Sequence, residues 1–537
     1  MIKIQLCLLD CTSIQRFVFG SNKLKTNIGA SQIVEDIYIR NIPKALKDIE
    51  LADVDLRFEN WKNEEKIDVI EILSEKPSVL WETGYVGGGN ALLLFKEKKR
   101  AKEFVKTWTR NLLLDAPGLK PAVAIIEEDI EEGVNDISNG IMDKLFAQLV
   151  RNKNMLIPET HILPHGITAE CPVSGLSMES FIEKSEKRWI SAIVKNKIEM
   201  SGEANVRLHE KYRDTLSMPS GKSYKFSDDS ENLGQSHQEA NHLGIVHIDG
   251  NSLGKAFKKC TGLIERRKLS IEVDDAVSAS MTATIKALKE KLSVEDGSGL
   301  KNILQFKNNE DDRLPFRPIV VNGDDITFVC DARVSFFLAE IFMRAFASQK
   351  VALKDDKGNE IQKSLSSCAG IAIIKTKYPF YRGYMLAEQL CASAKEKGRK
   401  DDTSWIDFHI SYRGLSESLE EMRKQQYEFD GRTLLNRPWQ IASGTKKNSF
   451  DDFKKAMKAL RDDEKTRWPR SKRHEFMNRL INGETATKEF LTVASARNLE
   501  LPQLAQLKGA AASGWAGEYT PYFDILEIMD FYPECLL

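Results

Sequence analysis

"RPIVVNGDDITFVC", residues 317–330, sets the problem. Two apolar runs are split by Asn322-Gly323, and two adjacent carboxylates, Asp324 and Asp325, follow at once. Asn-Gly between apolar runs predicts a β-hairpin with a type I′ turn, because both residues tolerate φ > 0. Alone, such a turn is ordinary solvated surface, so the flanking segments decide. Upstream, "LGIVHIDGNSLGKAF" (243–257) reads as strand, turn and helix, with Asp249 at the strand's C-terminal end. Downstream, "ARVSFFLAEIFMRAFASQ" (332–349) has apolar residues Val334, Phe337, Leu338, Ile341, Phe342 and Phe346 at helical spacing. "LSSCAGIAIIKTKYPF" (365–380) then reads as a strand and "YRGYMLAEQLCASAKEKGRK" (381–400) as a helix.

The same order occurs earlier. "IKIQLCLLD" (2–10) is a strand pattern ending at Asp10, and helix-like sequence follows to about residue 42. "SVLWETGYVGGGNALLLFKEKKRAKEFVKTWTRNLL" (78–113) is strand, Gly-rich turn, strand and amphipathic helix, and "PAVAIIEED" (121–129) is a further strand. Asp10 and Gly88 are 78 positions apart, and Asp249 and Gly323 are 74 apart. Two divergent copies of one α/β unit are expected. Four segments follow: a first unit at 1–150, a polar linker or helical insert at 151–240, a second unit at 241–410 and a charged helical domain at 411–537. The Ser-, Asp-, Gly- and Gln-rich run before residue 241 marks the clearest boundary.

The 537 residues are 42% hydrophobic and 29% charged, enough to bury several cores. A formal net charge of -1 provides no global field for nucleic acid, so only local patches remain. The eight cysteines form no CxxC pair, and several sit in apolar runs, as reduced core thiols do. No apolar run reaches the roughly 18–20 residues of a membrane span. A cytoplasmic location without membrane attachment is expected.

If their strands are neighbours, Asp249, Asp324 and Asp325 converge and repel one another unless a cation intervenes. Hard oxygen ligands suit Mg²⁺ or Mn²⁺, and two such ions hold a triphosphate, activate a 3′-hydroxyl and stabilise pyrophosphate. "GNSLG" (250–254) places glycines in a strand-to-helix turn whose N–H groups can cradle phosphate. Lys395 and Arg399, four apart on one helix face, can clamp β- and γ-phosphates. Each feature has a blander use: an N-cap for Asp249, a solvated face for the Lys/Arg pair. Their order raises the chemical reading.

That order resembles the catalytic palm of nucleotidyl cyclases and polymerases. "AKEKGR" (394–399) is similar to the close of diguanylate cyclase domains. The whole set more closely resembles the large palm-containing subunit of type III CRISPR effector complexes. "LLDCTSIQRFVFGSNKLKTNIGASQIVED" and "YVGGGNALLLF" resemble its first palm; "HIDGNSLGKAF", "NGDDITFVCD" and "AGIAIIKTKYPFYRGYMLAEQLCASAKEKGRK" resemble its second. The likeness spans roughly 1–130 and 241–410. It implies an α/β (α+β) fold of two ferredoxin-like palms (βαββαβ) in tandem, with a helical linker and a C-terminal helical domain. It also implies joining of ATP into cyclic 3′–5′ oligoadenylate second messengers in antiviral defence.

Carried over by motif, Asp249, Asp324 and Asp325 are metal ligands, with the Gly250 backbone beside them. Gly250, Asn251, Ser252, Leu253, Gly323, Lys395 and Arg399 contact nucleotide. Asn322 stands where the family's GGDD motif has its first Gly, tolerable because Asn accepts left-handed torsions. Gly87-Gly88-Gly89-Asn90 lacks the acid pair, so the first palm is expected to bind nucleotide without activating it, with Ser31, Gly88 and Asn90 as contacts, or to be a purely structural repeat. The chain starts at the first palm and has no His-Asp dipeptide, so the HD nuclease activity of many relatives is not expected. His161, His165 and Cys171 echo the family's zinc module, but Ser174 stands where CxxC needs its second Cys, so a metal-free remnant is favoured.

The implied partners are ATP, guide and target RNA, and CRISPR backbone subunits, or a protein or ligand regulator if the chain works alone. Two other readings compete: a non-catalytic scaffold that binds nucleotide or RNA, and a diguanylate cyclase-like homodimer, which the tandem palms disfavour. The basic stretch "RWPRSKRH" (467–474) is a protein- or RNA-binding surface or, more simply, a solvated helix face.

Overall fold

The computed structural model describes residues 1–537 except 75–77, 156–168, 184–186, 219–220, 235–240, 295–298, 305, 307–311, 355–358, 413–417, 442–447, 463–467, 505–506 and 508. The first unit begins with β1 (Ile2–Thr12), α1 (Ile14–Phe19) and α2 (Leu24–Ile39). It continues through the hairpin β2 (Trp81–Gly87) and β3 (Asn90–Phe95), then α3 (Lys98–Asp115), β4 (Lys120–Ile130) and α4 (Asn139–Asn154). Its sheet runs β2-β3-β1-β4, all antiparallel, which is the ferredoxin-like βαββαβ arrangement. A linker helix, α5 (Ala192–Lys211), packs along α2.

The second unit repeats this plan. It comprises β5 (His242–Gly250), a short α6 (Leu253–Lys259) and the long α7 (Leu263–Leu292). Next come the hairpin β6 (Phe316–Asn322) and β7 (Asp325–Asp331), α8 (Ala332–Ser348), β8 (Ser367–Lys375) and α9 (Phe380–Asp401). Its sheet runs β6-β7-β5-β8 and is extended by β9 (Trp405–Ile410) and β10 (Trp439–Gln440). The region read as a charged helical domain thus contributes the sheet's last strand. That strand is only two residues long, too short for period-2 patterning to reveal.

The repeat extends to backbone detail. Both first strands are followed by a serine in the left-handed region, Ser13 (φ 58) and Ser252 (φ 60), opening a helix. Both hairpins carry an irregularity on the outer strand, at Thr83/Tyr85 and Pro318/Val320. The palms share a core: Phe17, Phe19, Leu24 and Ile28 pack with Leu243, Ile245, Ile319, Val329 and Tyr384. The second palm's other face joins a larger core with the C-terminal helices, including Trp439, Trp468 and Phe476.

A buried arginine fastens the palms. Arg267 on α7 reaches into the irregular segment of β2, donating to Glu82 Oε1 (2.8 Å) and to the carbonyls of Gly84 (2.6 Å), Thr83 (2.8 Å) and Val69 (3.2 Å). Among the described residues, no helix is long and apolar enough to cross a membrane.

Candidate active site

Register brings the acids together. β7 pairs with β5 so that Asp325 faces Asp249 and Thr327 faces His247, which puts all four side chains on one sheet face. Asp324 sits in the turn, its carbonyl accepting from the Gly250 N–H (3.1 Å). A Cβ at Gly250 would come within 2.8 Å of Asp324 Cβ and 2.7 Å of Leu253 Cδ1, so only glycine lets the turn close onto β5.

The turn differs from the expected type. Asn322 and Asp325 are paired strand residues, and the two turn residues are Gly323 (φ 57) and Asp324, whose φ is not positive. Positive φ at the first central position alone is the type II′ pattern, not I′. Asn322 is therefore tolerated because it is extended, not because it adopts a left-handed torsion. In the first palm both Gly88 (φ 59) and Gly89 (φ 78) are positive, the I′ pattern. The two turns meet: a Cβ on Gly323 would lie 3.6 Å from Gly88 Cα.

Burial dominates the site's electrostatics. It raises Asp324 to about 6, with Asp249 as the next cause, and raises Asp325 to about 7, with Asp249 and Glu388 adding. The Asp325 carboxylate is two-fifths exposed, yet its Oδ1 is buried without a hydrogen-bond partner. One oxygen thus turns inward while the rest of the group faces solvent. Lys395 on α9 bonds Asp249 Oδ2 and supplies the positive charge this cluster demands. Among the described residues, no three acid, His or Cys side chains converge tightly enough to hold a metal as they stand. The expected convergence of three carboxylates is only partly met, because Lys395 holds Asp249.

The phosphate-cradle expectation changes at one residue, Asn251. The Asn251 N–H donates to Ser366 O (2.8 Å), and its buried amide donates to Ser366 Oγ (3.1 Å) and Thr403 O (3.0 Å). Asn251 thus ties the end of β5 to the residue before β8 and to the α9–β9 turn. The Leu253 side chain is core, which leaves only its backbone for a ligand. Ser252, in the left-handed region, is partly exposed, and Arg399 is exposed one turn beyond Lys395.

Gly398 explains the glycine of "AKEKGR". A Cβ there would stand 2.6 Å from Cys368 Sγ, 3.0 Å from Thr403 O and 3.2 Å from Asn251 Nδ2. Gly398→Ala is expected to cost about 1–3 kcal/mol in chemical denaturation, the usual penalty of overpacking.

The first palm has no equivalent acid pair. Asn90 faces Asp10 in register, as Asp325 faces Asp249, and Gly89 precedes it. Asp10 is engaged by Lys153 of α4 at 2.7 Å. Tyr38 Oη donates to the Gly89 carbonyl, and Ser31 is partly exposed two turns earlier on the same face of α2. Asn90 Oδ1 is buried without a hydrogen-bond partner.

Several site residues escaped the sequence reading: His247, Tyr384, Glu388 and Lys153. The first was legible, since a residue two before Asp249 on a strand shares its face. Tyr384 and Glu388 lie on the helical face of Lys395, but nothing local marked them. Of the zinc candidates, His161 and His165 lie outside the described residues. Burial raises the Cys171 thiol while hydrogen bonds from Ser191, Ser174 and Val173 bring it down to about 7.

The raised acids give a signed pH prediction. Both bind protons more tightly folded than unfolded, so their contribution to metal-free stability falls as pH rises from about 4 through 6–7. At pH 8, Asp325→Asn is expected to melt above the parent in EDTA, with the gap closing by pH 5. A constant gap across that range would contradict the burial argument.

Fold and site together give two palm-like units in tandem, the second with an acid cluster at its hairpin turn. Residues 242–404, which span most of the second unit, match the family model Cas10/Cmr2, second palm domain. Solved Csm1 structures share the fold of the whole chain. Csm1 of T. onnurineus is 14% identical with a TM-score of 0.54, covering 99% of this chain and 70% of its own. A Csm1–Csm4 cassette in complex with one ATP is 14% identical at 0.55, covering 98% and 70%. The cassette in complex with cA3 is 13% identical at 0.53, covering 98% and 69%. Compared with curated protein sequences, the chain has no match.

Proposed function

We propose that the chain is a nucleotidyltransferase joining ATP into cyclic 3′–5′ oligoadenylates, as the large subunit of a type III CRISPR-like defence complex. The observation that carries this is the acid cluster of Asp249, Asp324 and Asp325, with Lys395, beside the first palm's glycine turn. The solved cassettes of the same fold are complexes with ATP and with cA3.

The site suits divalent metal by its chemistry. Three carboxylates share a partly desolvated corner, two of them pushed up to about 6 and 7, and one buried oxygen has no hydrogen-bond partner. Asp249, Asp324 and Asp325 would hold two Mg²⁺ or Mn²⁺ ions, with the Gly250 carbonyl beside them. Such ions supply Lewis-acid activation of a 3′-hydroxyl and charge stabilisation of pyrophosphate. The chain's own residues do the positioning. Gly250 lets the acid turn approach β5, Asn251 anchors the loop, and the turn from Ser252 lies beside the triphosphate. Lys395, once exchanged from Asp249, offers its ammonium to phosphate, and Arg399 follows one turn later. Gly88 and Gly323 abut, so an acceptor nucleotide held near Asn90 and Ser31 lies across the turn from the acids.

The Lys395–Asp249 pair favours one other reading, a scaffold that binds ATP without turnover. Incubating the protein with ATP and Mg²⁺ or Mn²⁺, with guide RNA, target RNA and backbone subunits, separates the two. The proposal expects pyrophosphate and oligoadenylate by mass spectrometry. ATP binding with no pyrophosphate would leave the scaffold.

A further inference from the structure

The sheet face that carries Asp325 is also the face packed against the first palm. His247 lies on that face, buried, with Nδ1 3.1 Å from Thr327 Oγ1 and 3.4 Å from Asp325 Oδ1. Oδ1 is the oxygen that turns inward with no hydrogen-bond partner, so this imidazole is the polar group beside it. Nδ1 is thus the ring nitrogen that faces both Thr327 and Asp325. A proton carried on Nδ1 points to the Thr327 hydroxyl and lies beside the carboxylate oxygen, which can only accept.

The ring is itself held. Tyr384 of α9 meets it edge-on at 5.8 Å and 80°. Phe19, the last residue of α1 in the first palm, stacks on Tyr384 at 3.7 Å and 16°. Both aromatic rings are almost fully buried. A continuous line of side chains therefore runs from the first palm through Phe19, Tyr384 and His247 to Asp325. Its three inter-ring and polar contacts are all between side chains on different elements, so moving α1 against α9 tilts the imidazole.

We propose that α1 of the first palm braces the metal-binding carboxylate Asp325 through Tyr384 and His247, making these three positioning residues. The proposal rests on Asp325 being a metal ligand. The brace fixes Oδ1 inward and leaves Oδ2 toward the cleft, which lowers the ordering cost of binding a cation. It also gives the acid-free palm a task in catalysis that needs no acids of its own. Partners that orient a ligating side chain commonly set metal affinity by about 10–100-fold.

The test is Mn²⁺ binding to the intact chain without nucleotide, read by electron paramagnetic resonance of free Mn²⁺, with melting temperatures recorded alongside. Phe19→Leu and Tyr384→Leu keep apolar bulk but lose the stack, and each is expected to weaken Mn²⁺ about tenfold. Tyr384→Phe keeps the stack and is expected to bind as the parent does. Should the leucine variants fail to fold, His247→Leu against His247→Asn carries the test, because the Asn amide nitrogen takes the place of Nδ1. Leu is expected to lose affinity and Asn to retain most of it. Combined Phe19→Leu and His247→Leu should lose no more than the worse single variant, since both break one line. Folded Phe19→Leu and Tyr384→Leu that bind Mn²⁺ normally, while Asp325→Ala loses it, would overturn the brace and spare the metal site. Unchanged Mn²⁺ binding in Asp325→Ala would overturn both.

Discussion

Asp324→Ala/Asp325→Ala is expected to abolish conversion of ATP, a fall of about 10³-fold or more, equivalent to about 4 kcal/mol of lost transition-state stabilisation. The two residues occupy one tight turn, and Asp325 stands directly across from Asp249 on the neighbouring strand. Removing both leaves Asp249 alone with Lys395, an ion pair with no capacity for a second cation. The loss should appear in turnover and in Mn²⁺ binding together, whereas ATP affinity without metal should change little. The variant should not be less stable, because the two replaced acids are raised by burial and penalise the ionised folded state. Pyrophosphate release at the parental rate would remove these residues from the chemistry.

Arg267→Met carries the largest expected stability effect. The guanidinium is fully buried, yet four acceptors on the first palm share its donors: Glu82, two carbonyls at the β2 irregularity and the Val69 carbonyl before β2. Burial raises Glu82, and Arg267 is what offsets it. Removing one partner of a buried ion pair leaves an uncompensated charge, typically costing about 3–5 kcal/mol. Chemical denaturation should show that loss, with Arg267→Met/Glu82→Gln recovering part of it because the stranded charge is gone. A shift below about 1 kcal/mol would mean that water, not Arg267, satisfies this segment. Because Arg267 belongs to the second palm and Glu82 to the first, the variant should also loosen the contact that sets turn against turn.

Much of this molecule is readable along the chain. Period-2 and period-3.6 runs gave two copies of an α/β unit, since each strand and helix buries a face its own sequence must supply, and the family resemblance implied the βαββαβ order. The helical pattern from Val334 to Phe346 is buried in α8 except for Ile341, but Phe336, Ala339 and Met343 are buried too, so the helix is enclosed on nearly every side. The acids were legible for the same reason: glycine-containing turns hold them at strand ends, and such turns have local signatures. What misled was the turn itself. "NG" suggested a I′ turn, but the pairing of Asn322 with Asp325 shifted the bend one residue on. Register is a property of two strands, not one. The same holds for Asn251, expected as a nucleotide contact, whose amide nitrogen is taken by Ser366 and Thr403, 115 and 152 positions away.

The sequence by itself determined two copies of one α/β unit, the absence of an acid pair from the first turn and three candidate carboxylates in the second, while their resemblance to a known family implied palms. Each follows from local periodicity or from residue identity. The tertiary structure decided what those carboxylates face: Lys395 on Asp249, His247 and the Phe19–Tyr384 stack behind Asp325, and Gly88 against Gly323. These contacts join residues far apart in sequence, and they exist because burying the shared apolar face of two palms fixes where their turns and helices meet.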